Sequence, residues 1–482
     1  MPATLGDDTL FGTDGDDTIN ALAGNDLVIG DLGDDYLIGN SGDDFLYGGY
    51  GDDLIYGGSG ADYIYASNGN DYLRGQAGLD TIIGGGGDDV FMEDAGGDSI
   101  SGGSGTDLII YVAATQSVNV DLLGGLVLGG IFGNDTISGI ENIRASTHDD
   151  TVQGNASANV IEGWSGDDLI FGAGGGDTLD GQSGDDNLSG GGGGDVLWGG
   201  DGEDNLHGDT GDDELRGGFD RDTLEGGSGD DTISGGNDED IVVYVNESSG
   251  VNVDLSNALG NDGTGGLDLI IDVENVLGSQ YDDTILGSGI ANELYGNVGD
   301  DSVSGLDGDD YIEGSLGGDT LSGGNDNDDL TGGAGNDSLS GNAGQDAVEG
   351  GAGDDTVRGG VGDDWLDGGD GDDLIVGGSG QDTITSGVGA DTLNGSGGAD
   401  TFVITEESEG EIIVNFEHGV DQVAIDVLIV VLDPEDFPDP LDYLMQQGND
   451  VVFEFGDDFA TTVTFKNTSL ADFETGDIVF GG

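Results

Sequence analysis

The sequence predicts an all-β chain: a right-handed parallel β-roll in three runs, followed by a C-terminal β-rich cap. Three observations carry this. An aspartate falls every ninth residue, without a miss, from Asp8 to Asp107. A glycine stands two residues before each, and an apolar side chain two residues after, from Leu10 to Ile109. Three registers held together over that distance require one identical turn per nine residues.

The rhythm restarts twice. A second run goes from Asp150 to Asp240 in eleven units, with Asn159 at one aspartate position. A third goes from Asp283 to Asp400 in fourteen, with Asn292 likewise. The apolar register is filled in every unit. Within a unit, the glycine-rich half turns, because positive φ costs glycine nothing. The half Asp-x-apolar-x is a short strand with its apolar residue pointing one way. Two units make an 18-residue coil. Stacked coils form two parallel sheets around a thin core of Leu, Ile and Val. The expected organisation is 1–112 (first run), 113–148 (insert), 149–244 (second run), 245–281 (insert), 282–402 (third run) and 403–482 (cap).

Charge decides what such a stack needs. Against 102 Asp and Glu stand six Lys and Arg, a formal net charge of −96. Carboxylates 18 residues apart, such as Asp17 and Asp35, would lie one above the other and repel. The chain cannot neutralise itself, so a cation must come from outside. Calcium takes about six to eight oxygens and accepts both carboxylates and main-chain carbonyls, which glycine turns expose. Nucleic acid is excluded as a partner, since no basic patch exists to meet phosphates. There are no cysteines. The opening MPATLGDDTLF lacks a basic stretch followed by an apolar core, so no N-terminal signal peptide is expected. No run approaches the ~20 apolar residues of a membrane span. The longest, 427–432, is of strand length.

Stretches such as GGSGDDTIS (226–234) give the unit in full: Gly-Gly-x-Gly-x-Asp-x-apolar-x. This resembles the RTX family, the hemolysin-type calcium-binding repeat, over about three quarters of the chain. The resemblance implies a calcium-stacked β-solenoid in which the repeat aspartate is the side-chain ligand and turn carbonyls complete the shell. The expected ligands in the first run are Asp8, Asp17, Asp26, Asp35, Asp44, Asp53, Asp62, Asp71, Asp80, Asp89, Asp98 and Asp107. In the second they are Asp168, Asp177, Asp186, Asp195, Asp204, Asp213, Asp222 and Asp231. In the third they are Asp301, Asp310, Asp319, Asp337, Asp346, Asp355, Asp364, Asp373, Asp382, Asp391 and Asp400. A site needs two stacked turns, so about 30 ions is the upper estimate. The neighbouring acids Asp7, Asp16, Asp34 and Asp43 are read as solvent-facing. The glycine before the aspartate is missing at His148, Ser157, Asp220, Asp238, Tyr281, Ile290 and Asp326, and sites there are expected to be weak or absent. Folding is expected to be coupled to metal, with millimolar extracellular calcium folding the chain.

The two inserts align with each other at an offset of 133. Tyr111 matches Tyr244, Val118-Asn119-Val120-Asp121-Leu122 matches Val251-Asn252-Val253-Asp254-Leu255, and Glu141-Asn142 matches Glu274-Asn275. They are read as spacers that cap one roll and start the next. Beyond Thr401 the composition turns to Phe, Val and Ile, in segments with strand alternation. The pattern F-x-x-G-x-D at 416–421 and the endings Leu470-Ala471-Asp472-Phe473 and Asp477-Ile478-Val479-Phe480 resemble the C-terminal region of RTX exoproteins. That implies an uncleaved type I secretion signal and an extracellular or cell-surface location.

No enzyme is expected. Repeats begin at Gly6, leaving no room for a preceding catalytic domain, and no HExxH or convincing nucleophile elbow occurs. The three histidines, His148, His207 and His418, are far apart; His207 is read as a surface residue and His418 as part of a turn. One feature separates the runs. Outward positions of run one carry Leu27, Ile29, Phe45, Tyr47, Tyr63 and Tyr65 on one sheet, and Tyr36, Ile38, Leu54, Tyr56, Tyr72 and Arg74 on the other. Either a neighbouring segment packs there, or the face makes contacts in self-assembly or with extracellular polysaccharide.

Overall fold

The computed structural model describes residues 3–92, 95–129, 133–405, 410–417, 420–426, 444–447, 450–455, 461–466, 468, 473 and 477–480. The expectations for 427–432, His418, Leu470, Ala471 and Asp472 lie outside the described residues. Two compact units, Met1–Asp240 and Ile241–Gly482, are described in turn.

In the first unit, six-residue strands follow one another at nine-residue intervals, and each pairs in parallel with the strand two units away. Leu27–Leu32 lies on Phe45–Tyr50, which lies on Tyr63–Asn68. The alternate strands Tyr36–Ser41, Leu54–Ser59 and Tyr72–Gly78 form a second ladder. Within a run the register is 18 residues, so Val28 sits on Leu46 and Leu37 on Ile55. Those apolar side chains are buried, forming a core one side chain thick per coil. Each contributes about 1.5–3 kcal/mol by leaving water. The result is a parallel β-roll. In many of its turns the glycine two residues before the aspartate leaves no room for a side chain. A Cβ on Gly42 would lie 1.9 Å from the Gly24 carbonyl oxygen, and φ there is +127°.

The first insert does not end this stack. Asp135–Ser138 continues the sheet of Ser99–Ser104 in parallel. An antiparallel hairpin, Leu126–Gly129 with Val118–Asp121, follows it, and Val118–Asp121 passes the ladder in parallel to Thr151–Gln153. On the other sheet Leu108–Ile110 pairs with Asn142–Arg144, and that with Val160–Ser165. The spacer therefore enlarges one coil by a hairpin and leaves the ladder running.

The second unit repeats the plan. Ile241–Val243 pairs with Asn275–Leu277 across the second insert, and Asn252–Asp254 with Thr284–Leu286. The 133-residue offset seen in the sequence is thus a repeated topology. Asp262 fastens the hairpin of this insert: its carboxylate accepts from the N–H groups of Thr264, Gly265 and Gly266 and from the Thr264 hydroxyl. The third run then stacks from Glu293–Val298 to Thr392–Gly397. Glu411–Val414 and Gln422–Asp426 add one further coil on the two sheets. Thr461–Phe465 and Ile478–Phe480 cover that coil. The one helical turn among the described residues is the 3-10 segment Leu255–Asn257. No helix among them is long and apolar enough to cross a membrane.

Candidate metal centre

Each repeat aspartate ends the turn and opens the strand, so all of them stand in one register along each edge of the roll. One carboxylate oxygen is spent on the stack itself. The Asp17 N–H donates to Asp35 Oδ1 at 2.8 Å, Asp35 N–H to Asp53 Oδ1 at 2.9 Å, and Asp53 N–H to Asp71 Oδ1 at 2.8 Å. In the second unit Asp301, Asp319 and Asp337 donate in the same way to Asp319, Asp337 and Asp355.

In many of these turns the other oxygen has no partner. Oδ2 is buried without a hydrogen bond in Asp35, Asp44, Asp53, Asp62, Asp186, Asp204, Asp319, Asp337 and Asp373, among many others. Oδ2 faces the glycine five residues earlier. A Cβ built on Gly30 would lie 2.1 Å from Asp35 Oδ2 and 2.7 Å from the Gly48 carbonyl oxygen of the next coil. Gly314 sits 2.3 Å from Asp319 Oδ2 and 2.7 Å from the Gly332 carbonyl by the same measure. Burial raises these carboxyl groups, with the accepted N–H bond opposing it and neighbouring carboxylates adding to it. Asp53, Asp62 and Asp71 are pushed up to about 7, and Asp168 to about 8.

A buried carboxylate oxygen and a carbonyl oxygen converging on a space with no donor fit a hard, oxygen-seeking cation. Among the described residues no three acidic or histidine side chains cluster. The oxygens at each cradle come from aspartates and main-chain carbonyls together.

Of the aspartates singled out in the sequence, all from Asp26 onward are buried. Asp8 and Asp17 differ. Their Oδ2 atoms accept from the N–H of Thr4 at 2.6 Å and of Thr13 at 2.5 Å, and from the same two hydroxyls at 2.9 Å. The opening turns of the other runs are built alike, with Ser146 on Asp150, Asn155 on Asn159, Ser279 on Asp283 and Ser288 on Asn292. In these six turns the chain supplies the donor four residues before the carboxylate or amide. In every later described turn that residue has positive φ, glycine or not, as in Asn40 (77°), Trp164 (84°) and Asn297 (79°).

The missing glycines sort by the same rule. His148, Ser157, Tyr281 and Ile290 belong to the opening turns, which need no left-handed residue there. Asp220, Asp238 and Asp326 take φ of 71°, 74° and 77° themselves, a conformation Asp tolerates better than most residues. Asp328 is not among the expected ligands, because Asp326 stands in place of the glycine two residues before it. Yet it is buried, its Oδ2 lacks a partner, and a Cβ built on Gly323 would lie 2.1 Å from that oxygen. The signal is Gly324 four residues before it, whose φ of 137° groups this turn with the later ones and not with the opening turns. Asp7, Asp16, Asp34 and Asp43 are exposed, as read, and also make a second ladder. Their Oδ1 atoms accept from the N–H groups of Asn25, Asp34, Asp52 and Ala61. His207 is half-buried on an outward strand position and bonds Glu225 at 2.9 Å.

The RTX calcium-binding nonapeptide repeat matches the chain between residues 3 and 92, 144 and 242, and 277 and 402, in overlapping blocks of four copies. The chain belongs to the RTX calcium-binding repeat family. Its RTX repeats bind calcium as that family does. No curated protein sequence matches. Among solved structures, the extracellular lipase LipA from Serratia marcescens aligns at 16% identity and a TM-score of 0.23, over 78% of this chain and 45% of the lipase. This chain therefore spans less than half of that protein's length. The AlgE6R3 subunit of the Azotobacter vinelandii mannuronan C5-epimerase aligns at 20% identity and a TM-score of 0.14, over 32% of this chain and 78% of the subunit.

Proposed function

We propose that this chain is a secreted RTX β-roll that folds on calcium outside the cell and serves a structural or adhesive role at a bacterial surface or matrix. The observation that carries the reading is the row of buried Oδ2 atoms without partners. Left as bare carboxylates, each would cost several kcal/mol to bury and would repel the next. Calcium between turns removes both penalties, so metal binding becomes folding free energy. The repeat aspartates named above, with turn carbonyls, are the ligands in this reading. Low cytosolic calcium leaves the chain extended and fit for export; the segment after Thr401 is the type I signal region. The role is non-catalytic.

Sedimentation velocity in millimolar calcium and in chelator tests this. An expanded chain in chelator that becomes compact in calcium supports it. Identical profiles would sink it. Growth of large calcium-dependent assemblies would favour the structural role over a soluble binding module.

A further inference from the structure

The aspartate ladder does not stop with the repeats. On one edge the next carboxylate after Asp391 is Glu411, 20 residues on. Ile412 and Ile413 fall in register on Thr392 and Leu393, which sets Glu411 in the aspartate position. The longer side chain takes over the ladder bond: Asp391 N–H donates to Glu411 Oε2 at 3.2 Å, as Asp373 N–H donates to Asp391 Oδ1 at 2.9 Å. Glu141 does the same for Asp107 at 2.9 Å, where the first run breaks off.

Glu411 and Asp391 are both fully buried. Glu411 Oε1 and Asp391 Oδ2 have no hydrogen-bond partner. The strand laid over Glu411 places Val463 opposite it, so no carboxylate follows on this edge. Ser386, also buried, stands at the register where glycine faces Oδ2 elsewhere. Two adjacent buried carboxylates, each with an unsatisfied oxygen, need a positive charge between them. A single shared proton joining those two oxygens would leave one buried negative charge, whereas a divalent cation neutralises both carboxylates.

The geometry points to a terminal calcium site held by Asp391 and Glu411, in which the second carboxylate comes from outside the repeats. The site rests on the calcium reading above and extends it. It ties the order of Glu411–Val414, and of the Thr461–Phe465 strand upon it, to bound metal.

The test is a count of bound calcium by native mass spectrometry on the full chain and its Glu411→Gln variant, with hydrogen exchange on both. The expected result is loss of one ion, with faster exchange at 412–414 and 461–465 and unchanged exchange at the centre of the third run. An unchanged count and unchanged exchange would overturn the site. Should the variant lose many ions by unfolding, anomalous scattering from wild-type crystals grown in calcium decides. A peak between Asp391 and Glu411 supports the site; peaks along the repeat ladder with none there overturn it. A wild-type chain that holds no calcium at all would remove the calcium reading itself, a separate failure.

Discussion

Ser146 closes on Asp150 from its own turn: its N–H reaches Oδ2 at 2.6 Å and its hydroxyl reaches Oδ1 at 2.9 Å. The same carboxylate also accepts from Val118 N–H at 2.7 Å. Ser279, Asp283 and Val251 repeat the arrangement in the second unit. These carboxylates are saturated without metal. The Asn159 and Asn292 amides go further and donate to the carbonyls of Glu141 and Glu274, each at 2.6 Å. A donor thus stands at the aspartate register.

Asp150→Asn and Asp283→Asn should therefore leave the calcium count unchanged, while Asp319→Asn lowers it. Ser279→Ala should cost about 1–3 kcal/mol by removing the hydroxyl's bond to Asp283 Oδ1 and the one it accepts from the Tyr281 N–H, with no ion lost. Native mass spectrometry and thermal melts in calcium read both. Loss of an ion from Asp283→Asn would show that this turn holds metal after all.

Asp328 carries the second prediction. Its environment matches that of Asp319, and its N–H and carboxylate both take their places in the ladder. Asp328→Asn should lose one calcium ion, and Asp326→Gly should lose none. Gly314→Ala places a methyl where Asp319 Oδ2 and the Gly332 carbonyl converge, so it should lose an ion and melt lower. If Asp326→Gly instead adds an ion, the glycine two residues before the aspartate sets affinity.

How much of this was legible follows from what the period exposes. A nine-residue clock reveals the coil, the register and the inward side chains, because each unit repeats the same answer. It does not say which oxygen of Asp35 stays free, since that depends on the coil above. The six opening turns are marked by their place at the head of each run and not by residue type, since Ser67, Asn297 and Ser315 also stand four before the aspartate register and take positive φ instead. The continuity through the inserts was hidden, because Glu141 and Asp135 keep the ladder at spacings of 34 and 37 residues that no period predicts. Glu411 was hidden for the same reason.

Proton linkage gives a third prediction. Desolvation holds the carboxyl groups of Asp53, Asp62, Asp71 and Asp186 near 7 in the fold, against about 4 in an unfolded chain. The metal-free fold therefore binds more protons than the unfolded chain between those values. Its stability is greatest below about pH 4 and is lost as pH rises towards about 7. In chelator, strand content by circular dichroism should rise on acidification. With calcium the sign reverses, because protons and metal compete for Oδ2, so affinity should fall as pH drops. A chelated chain whose strand content is flat with pH would contradict the buried-carboxylate account.

The outward face of the first run gives the last prediction. Phe45 and Tyr63 pack with ring centroids 5.5 Å apart and planes tilted by 30°, and Tyr47 and Tyr65 meet edge-to-face at 5.1 Å. Phe45 remains 57% exposed and Tyr47 40%. From Leu27 to Ile83 the residues directly flanking the inward apolar position on this sheet include no acid, and Asp31 is the one acidic side chain exposed within these strands, in a chain with 102 acidic residues. An apolar strip with so few acids on so anionic a molecule is a place where contact meets little carboxylate repulsion. Phe45→Ser with Tyr63→Ser should leave the calcium count unchanged, because both side chains point away from the core. Their burial contributes little to folding, so melting in calcium should shift by no more than the equivalent of about 1 kcal/mol. Calcium-dependent assembly in sedimentation, or retention on an extracellular polysaccharide, should weaken at least severalfold. Unchanged assembly and retention would place the contact surface elsewhere on the chain and leave these rings as ladder neighbours that stabilise one another.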